Sequence, residues 1–76
     1  RVLRALVLIA SLGLLAACES DEERAERYYQ SALALMEEGD VDRALIELRN
    51  VFQYDGLHKE ARQLYADTIL ARGDVA

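Results

Sequence analysis

The sequence predicts an all-α fold, a helix–turn–helix body preceded by a signal-peptide helix. Three observations predict it. After Cys18 the apolar residues recur at spacings of three and four rather than in alternation. The chain has no proline and no period-two run that would mark a strand. Two Gly-Asp pairs, Gly39-Asp40 and Gly73-Asp74, interrupt the body at helix-sized intervals. At 76 residues the chain holds at most one small domain.

The first element is an apolar leader. Arg1 and Arg4 precede thirteen consecutive apolar or small residues, Ala5 to Ala17. As a helix this run is about 20 Å long at ~1.5 Å per residue, against the ~30 Å of a bilayer core. It is too short for a comfortable transmembrane span and fits the apolar region of an export signal, with the arginines as its positive flank. Leu15-Ala16-Ala17-Cys18 ends it with an aliphatic residue, two small ones and the only cysteine of the chain. That tetrapeptide resembles the lipobox of bacterial lipoproteins. The resemblance implies a diacylglyceryl group on the Cys18 sulfur and cleavage between Ala17 and Cys18. It therefore implies a membrane held through lipid, because several acyl chains anchor stably where one does not. A lone cysteine also leaves no internal disulfide to form. The implied location is the bacterial cell envelope, at the inner or outer membrane, with the body facing the periplasm.

The body is acidic. Residues 18–76 carry all 14 acids against seven basic residues, a net charge of −7, where the whole chain has −5. Nucleic-acid binding needs a Lys/Arg surface, so it is not expected, and neither is adhesion to anionic lipid by charge. Ser20-Asp21-Glu22-Glu23 reads as a capping box, in which Ser20 accepts from the Glu23 backbone and Glu23 reaches back. The acids there also suit the positive end of a helix dipole. This helix runs to about Glu38, with Tyr28, Ala32 and Leu35 on one face. After Gly39, Asp40 caps a second helix from about Val41 to Tyr54, whose apolar stripe is Val41, Ala44, Leu45, Leu48, Val51 and Phe52. Asp55-Gly56 ends it, Gly56 suiting a left-handed cap. A third helix covers roughly His58 to Arg72, with Ala61, Leu64, Tyr65, Thr68 and Ile69 inward. Gly73-Asp74 then repeats the earlier break.

The body repeats itself at an offset of 34. Glu26, Ala32, Gly39, Asp40 and Val41 recur as Glu60, Ala66, Gly73, Asp74 and Val75, while Leu35 matches Ile69 and Met36 matches Leu70. Helix–turn–helix content at this period resembles the tetratricopeptide repeat. Gly39-Asp40-Val41-Asp42-Arg43-Ala44 is similar to the family's Gly-Asp-Tyr-x-x-Ala turn. By that resemblance Ala32, Ala44 and Ala66 are small crossing residues, and Tyr28, Leu35, Gly39, Leu48 and Ile69 complete the packing set. The sequence departs from the pattern at Gly56, where proline is usual, at Val51, where a smaller alanine is usual, and at Arg62, where an aromatic is usual. The implied organisation is a signal peptide at 1–17, a lipidated cysteine and short acidic spacer at 18–24, a first repeat at 25–58 and a partial second repeat at 59–76. Arg1 is not a methionine, and Gly73-Asp74-Val75-Ala76 reads as the opening of another helix. The expectation is the N-terminal fragment of a longer α-solenoid, whose repeats stabilise one another by stacking.

Little in the sequence points to catalysis. His58 is the only histidine, and no partner builds a metal site with it. It sits where the third helix begins and reads as a surface or capping residue. No phosphate-cradling glycine loop and no nucleophile motif occurs, and no shielded carboxylate pair is marked. No enzyme, cofactor or metal is expected. The repeat resemblance implies a concave groove lined by first helices, here Glu26, Tyr29, Leu33 and Met36, then Gln63, Asp67 and Leu70. That set mixes carboxylates, an aromatic and aliphatics, which points to a basic or apolar peptide segment of a protein partner. The expected function is a lipid-anchored protein-binding scaffold or adaptor in envelope assembly, secretion or export machinery. Two alternatives stand beside it: a short anchored peptide that folds on a partner, and the docking arm of an envelope enzyme whose catalytic domain lies beyond Ala76.

Overall fold

The computed structural model describes residues 18–73, and these form three helices in succession: α1 (Asp21–Glu37), α2 (Val41–Tyr54) and α3 (Lys59–Arg72). No strand occurs among the described residues. None of the described helices is long and apolar enough to cross a membrane. The leader at 1–17, with Ala17, and the segment Asp74-Val75-Ala76 lie outside the described residues.

Each helix begins where a side chain can take an orphan backbone N–H. Ser20 accepts from the Glu23 amide at 3.1 Å, as the capping box predicts. The returning arm differs from the expectation: the Ser20 hydroxyl itself donates to Glu23 Oε1 at 3.1 Å. Asp21, Glu22 and Glu23 place three carboxylates on the positive end of α1. Asp40 caps α2 by accepting from the Arg43 amide at 3.3 Å. His58 caps α3, its Nδ1 accepting from the Ala61 amide at 3.1 Å.

The turns show one correction. Gly39 and Gly73 take positive φ, 80° and 72°, and Gly56 does not. The left-handed cap expected at Gly56 is replaced by Asp55, whose backbone breaks the helix at φ −149°, ψ 88°. The Asp55 carboxylate then accepts from the Leu57 amide at 3.2 Å, closing a turn that needs no left-handed residue.

The core follows the predicted stripes, with Ala25 on α1 in addition to them. Ala25 and Ala32 of α1, Ala44, Leu45, Leu48 and Val51 of α2, and Ala61 of α3 are buried. Alanine on α1 lets α2 approach closely, so the fully buried bulk comes from Leu48 and Val51 on α2. Val51, the departure from the small-residue pattern, fits without exposure. Tyr28 stacks on Tyr54 with centroids 5.9 Å apart and planes 9° off parallel, and Phe52 meets Tyr65 edge-on at 5.8 Å. The α1–α2 pairing is extensive, whereas α3 rests on α2 over a smaller area and buries only Ala61 fully.

Candidate functional site

The antiparallel run of α1 and α2 returns the chain to the start of α1, and the turn at Asp55 then launches α3 beside it. The His58 side chain makes this junction. Its Nε2 lies 2.9 Å from Glu26 Oε2 on α1, and its ring lies 4.8 Å from the Tyr29 ring at a 44° tilt. Gln30 donates to the other Glu26 oxygen at 3.0 Å. These two hydrogen bonds, His58 first, hold the Glu26 carboxyl below the usual carboxylate range.

Alongside this junction lies an open concavity of about 420 Å³, lined by Tyr29, Lys59, Glu60, Gln63, Leu64 and Asp67. It collects three of the predicted groove residues, Tyr29, Gln63 and Asp67. Gln63 donates to Asp67 Oδ1 at 3.0 Å, which orients both along α3. Glu26 is exposed beside it. Leu33 and Met36 are half-buried farther along α1, and Leu70 is 63% exposed near the end of α3. They lie outside the concavity. Lys59, Glu60 and Leu64 line it without having been predicted as groove residues; Leu64 was expected in the packed face of α3. Their signal was available: Leu64 follows Gln63 directly, and Glu60 and Lys59 precede it by three and four positions, one helical turn, so a wider arc of α3 faces the space. Tyr and Leu supply its apolar wall. Along the lining Glu60 and Asp67 outnumber Lys59, so the field there is acidic.

A larger hollow, about 580 Å³, occupies the adjoining face of α3 and is lined by Phe52, Gly56, Lys59, Arg62, Gln63, Tyr65 and Ala66. Of the predicted packing residues, Ala32, Ala44 and Leu48 are buried to 0% exposure, and Tyr28, Leu35 and Ile69 are half-buried. Ala66 is exposed in this hollow, with Arg62 beside it. Gly39 is exposed in its turn.

The predicted lipidation residue, Cys18, is exposed three residues ahead of α1. The next residue is tied down. Glu19 accepts from Arg27 Nε at 3.1 Å and Nη2 at 3.3 Å, and Arg24 Nε lies 3.6 Å away. The Arg27 hydrogen bond, then the charges of Arg27 and Arg24, hold the Glu19 carboxyl below its ordinary value. The same guanidinium groups lie over aromatic rings, Arg24 over Tyr54 and Arg27 over Tyr28, each at 5.1 Å. Among the described residues no group of three or more His, Cys, Asp or Glu side chains could hold a metal ion.

No protein-family model matches the chain, and neither a curated protein nor a solved structure matches it.

Proposed function

We propose that this chain is part of a helical-repeat module that binds a protein partner through the α1–α3 groove, acts by binding and not by catalysis, and is anchored to a bacterial envelope membrane by lipid on Cys18. One observation carries the repeat part. Gly39 and Gly73, 34 positions apart, close α1 and α3 with the same left-handed backbone, so the sequence period coincides with a period in the backbone. The groove then takes a basic peptide segment with apolar side chains, because its walls are Tyr29 and Leu64 and its rim is mainly carboxylate. The anchor part is supported by Leu15-Ala16-Ala17-Cys18 in the sequence and by the exposure of Cys18 ahead of a capped helix.

The groove is tested in cells by placing a photo-cross-linking amino acid at Tyr29, Gln63 or, as a control, at the exposed Arg49 of α2. Adducts to the same partner from Tyr29 and Gln63 and not from Arg49 support the groove. Equal labelling from all three positions would sink it. The anchor is tested separately: Cys18→Ser loses incorporation of labelled fatty acid and leaves the precursor uncut, and label retained by the variant overturns it.

A second reading, an anchored peptide that orders only on its partner, is favoured by the thin docking of α3. Helix content of residues 18–76 that rises only when the partner is added would select it.

A further inference from the structure

The cap of α3 and the bridge from α3 to α1 are made by the two nitrogens of one imidazole. Nδ1 accepts from the Ala61 amide at 3.1 Å. It therefore holds a lone pair, and the neutral ring carries its proton on Nε2, which donates to Glu26 Oε2 at 2.9 Å. The side chain is only 9% exposed, so water does not replace either partner freely. A second carboxylate waits on the capping side: Glu60 Oε2 lies 3.6 Å from Nδ1.

From this arrangement we infer that His58 is a proton-operated latch between α1 and α3. Imidazole is the side chain whose charge ordinarily changes between pH 5 and 8. When Nδ1 gains a proton it becomes a donor facing the Ala61 N–H, also a donor, and the cap is lost. The new N–H turns to Glu60, while Nε2–H stays on Glu26, now as an ion pair. The ring thus exchanges a helix cap for a second carboxylate. The first turn of α3 loosens, and the attachment of the ring to α1 tightens.

The groups around the ring fit this exchange. From α1 come Glu26, with Gln30 behind it, and the Tyr29 ring. From the end of α2 comes Asp55, whose backbone oxygen accepts the His58 amide at 3.2 Å. From α3 come Glu60 and the neighbouring Lys59. Carboxylates flank both nitrogens, so the imidazolium has an acceptor on either side. The consequence falls on Ala61, the only fully buried residue of α3, and so on how firmly that wall of the groove is seated. The latch does not depend on what fills the groove or on lipid at Cys18.

The test is nitrogen and amide NMR of the full chain in detergent micelles between pH 8 and pH 5. At pH 8 the ring shifts are those of the Nε2–H tautomer. On acidification the Ala61 amide shift moves with the ring midpoint, and its protection against hydrogen exchange, taken relative to the intrinsic rate at each pH, falls about fivefold, the scale of a lost cap. In His58→Asn, which caps without titrating, the Ala61 amide is flat across the range. In Glu60→Gln the ring midpoint moves to lower pH. An Nδ1–H tautomer at pH 8, an Ala61 amide that ignores the ring titration, or an unmoved midpoint in Glu60→Gln would each overturn the latch. The wild-type measurements stand even if a variant does not fold.

Discussion

Gly39 and Gly73 adopt matching left-handed conformations, φ 80° and 72°, Gly39 one residue past the Glu38 cap of α1 and Gly73 as the cap of α3 itself. The Gly39 amide reaches back to the Met36 carbonyl at 3.0 Å, and the Gly73 amide reaches the Leu70 carbonyl at 3.1 Å. Met36 and Leu70 are themselves 34 positions apart, so the two turns repeat in hydrogen bonding as well as in torsion. A Cβ atom at either glycine meets nothing within 4 Å. What requires glycine is therefore the backbone torsion and not lack of space.

Gly39→Ala lowers stability by about 1–2 kcal/mol, the cost of a left-handed non-glycine residue. Gly39→Asn loses less, because a short polar side chain tolerates that region. Urea unfolding followed by helical circular dichroism measures both. Equal stability of Gly39→Ala and the parent would show that the turn between α1 and α2 is not left-handed.

Ala32 and Ala66 occupy the same place in the 34-residue period and differ in cover. Ala32 is at 0% exposure between α1 and α2, and Ala66 is open in the hollow beside Phe52 and Tyr65. Ala32→Leu overfills a closed crossing and destabilises by about 1–3 kcal/mol. Ala66→Leu in the 76-residue chain changes stability by no more than about 0.5 kcal/mol, as exposed substitutions do. The same change in a longer chain with a following helix becomes as costly as Ala32→Leu if that helix crosses at Ala66. Neutrality there would remove the support that Ala66 lends to a stacked repeat.

Periodicity made the helices legible, since Ala32, Ala44, Leu45, Leu48 and Val51 all sit on predicted stripes and all are buried. The caps at Ser20 and Asp40 were legible because their side chains act within three residues. Gly56 was misread because glycine signals a left-handed cap only when nothing nearer breaks the helix, and Asp55 does so first. Of the residues expected to line a groove, three meet at one concavity. The repeat resemblance named Tyr29, Gln63 and Asp67, but how wide an arc of α3 faces the space depends on its rotation against α2. The double role of His58 was hidden for a similar reason: its capping bond is local, whereas its bond to Glu26 joins residues 32 apart.

Acid weakens the fold through Glu26 and Glu19. Both carboxyls titrate below their ordinary values in the folded chain, Glu26 chiefly through the His58 hydrogen bond and Glu19 chiefly through that of Arg27. The unfolded chain then binds protons more readily. Their contribution is fully present above the ordinary glutamate value of ~4.3 and is lost as pH falls through the lower folded values. The Tm is therefore flat in these two groups above about pH 5 and declines below about pH 4. Both side chains are solvent-accessible, so the decline is shallow and weakens further with salt. Glu19→Gln with Glu26→Gln flattens the acid limb, and an unchanged slope would assign the acid loss to other carboxylates.

Arg27 sets how Cys18 is presented. Its guanidinium holds both oxygens of Glu19, the residue next to the cysteine, and lies over the Tyr28 ring. The segment between Cys18 and α1 is thereby folded back onto the helix instead of hanging from it. Arg24 approaches the same carboxylate less closely, at 3.6 Å, with its guanidinium over Tyr54. A nitroxide attached to Cys18, the only thiol in the chain, reports on this directly. In the parent its spectrum shows restricted backbone motion, and Arg27→Gln narrows the lines, because one neutral amide cannot hold both carboxylate oxygens. Arg27→Lys gives intermediate narrowing, since the ammonium restores charge without the fork. Helix content is unchanged in both variants, because Arg27 is exposed and outside the buried core; far-ultraviolet circular dichroism checks it. Identical line widths in all three proteins would mean that Glu19 leaves the cysteine as mobile as an unrestrained terminus.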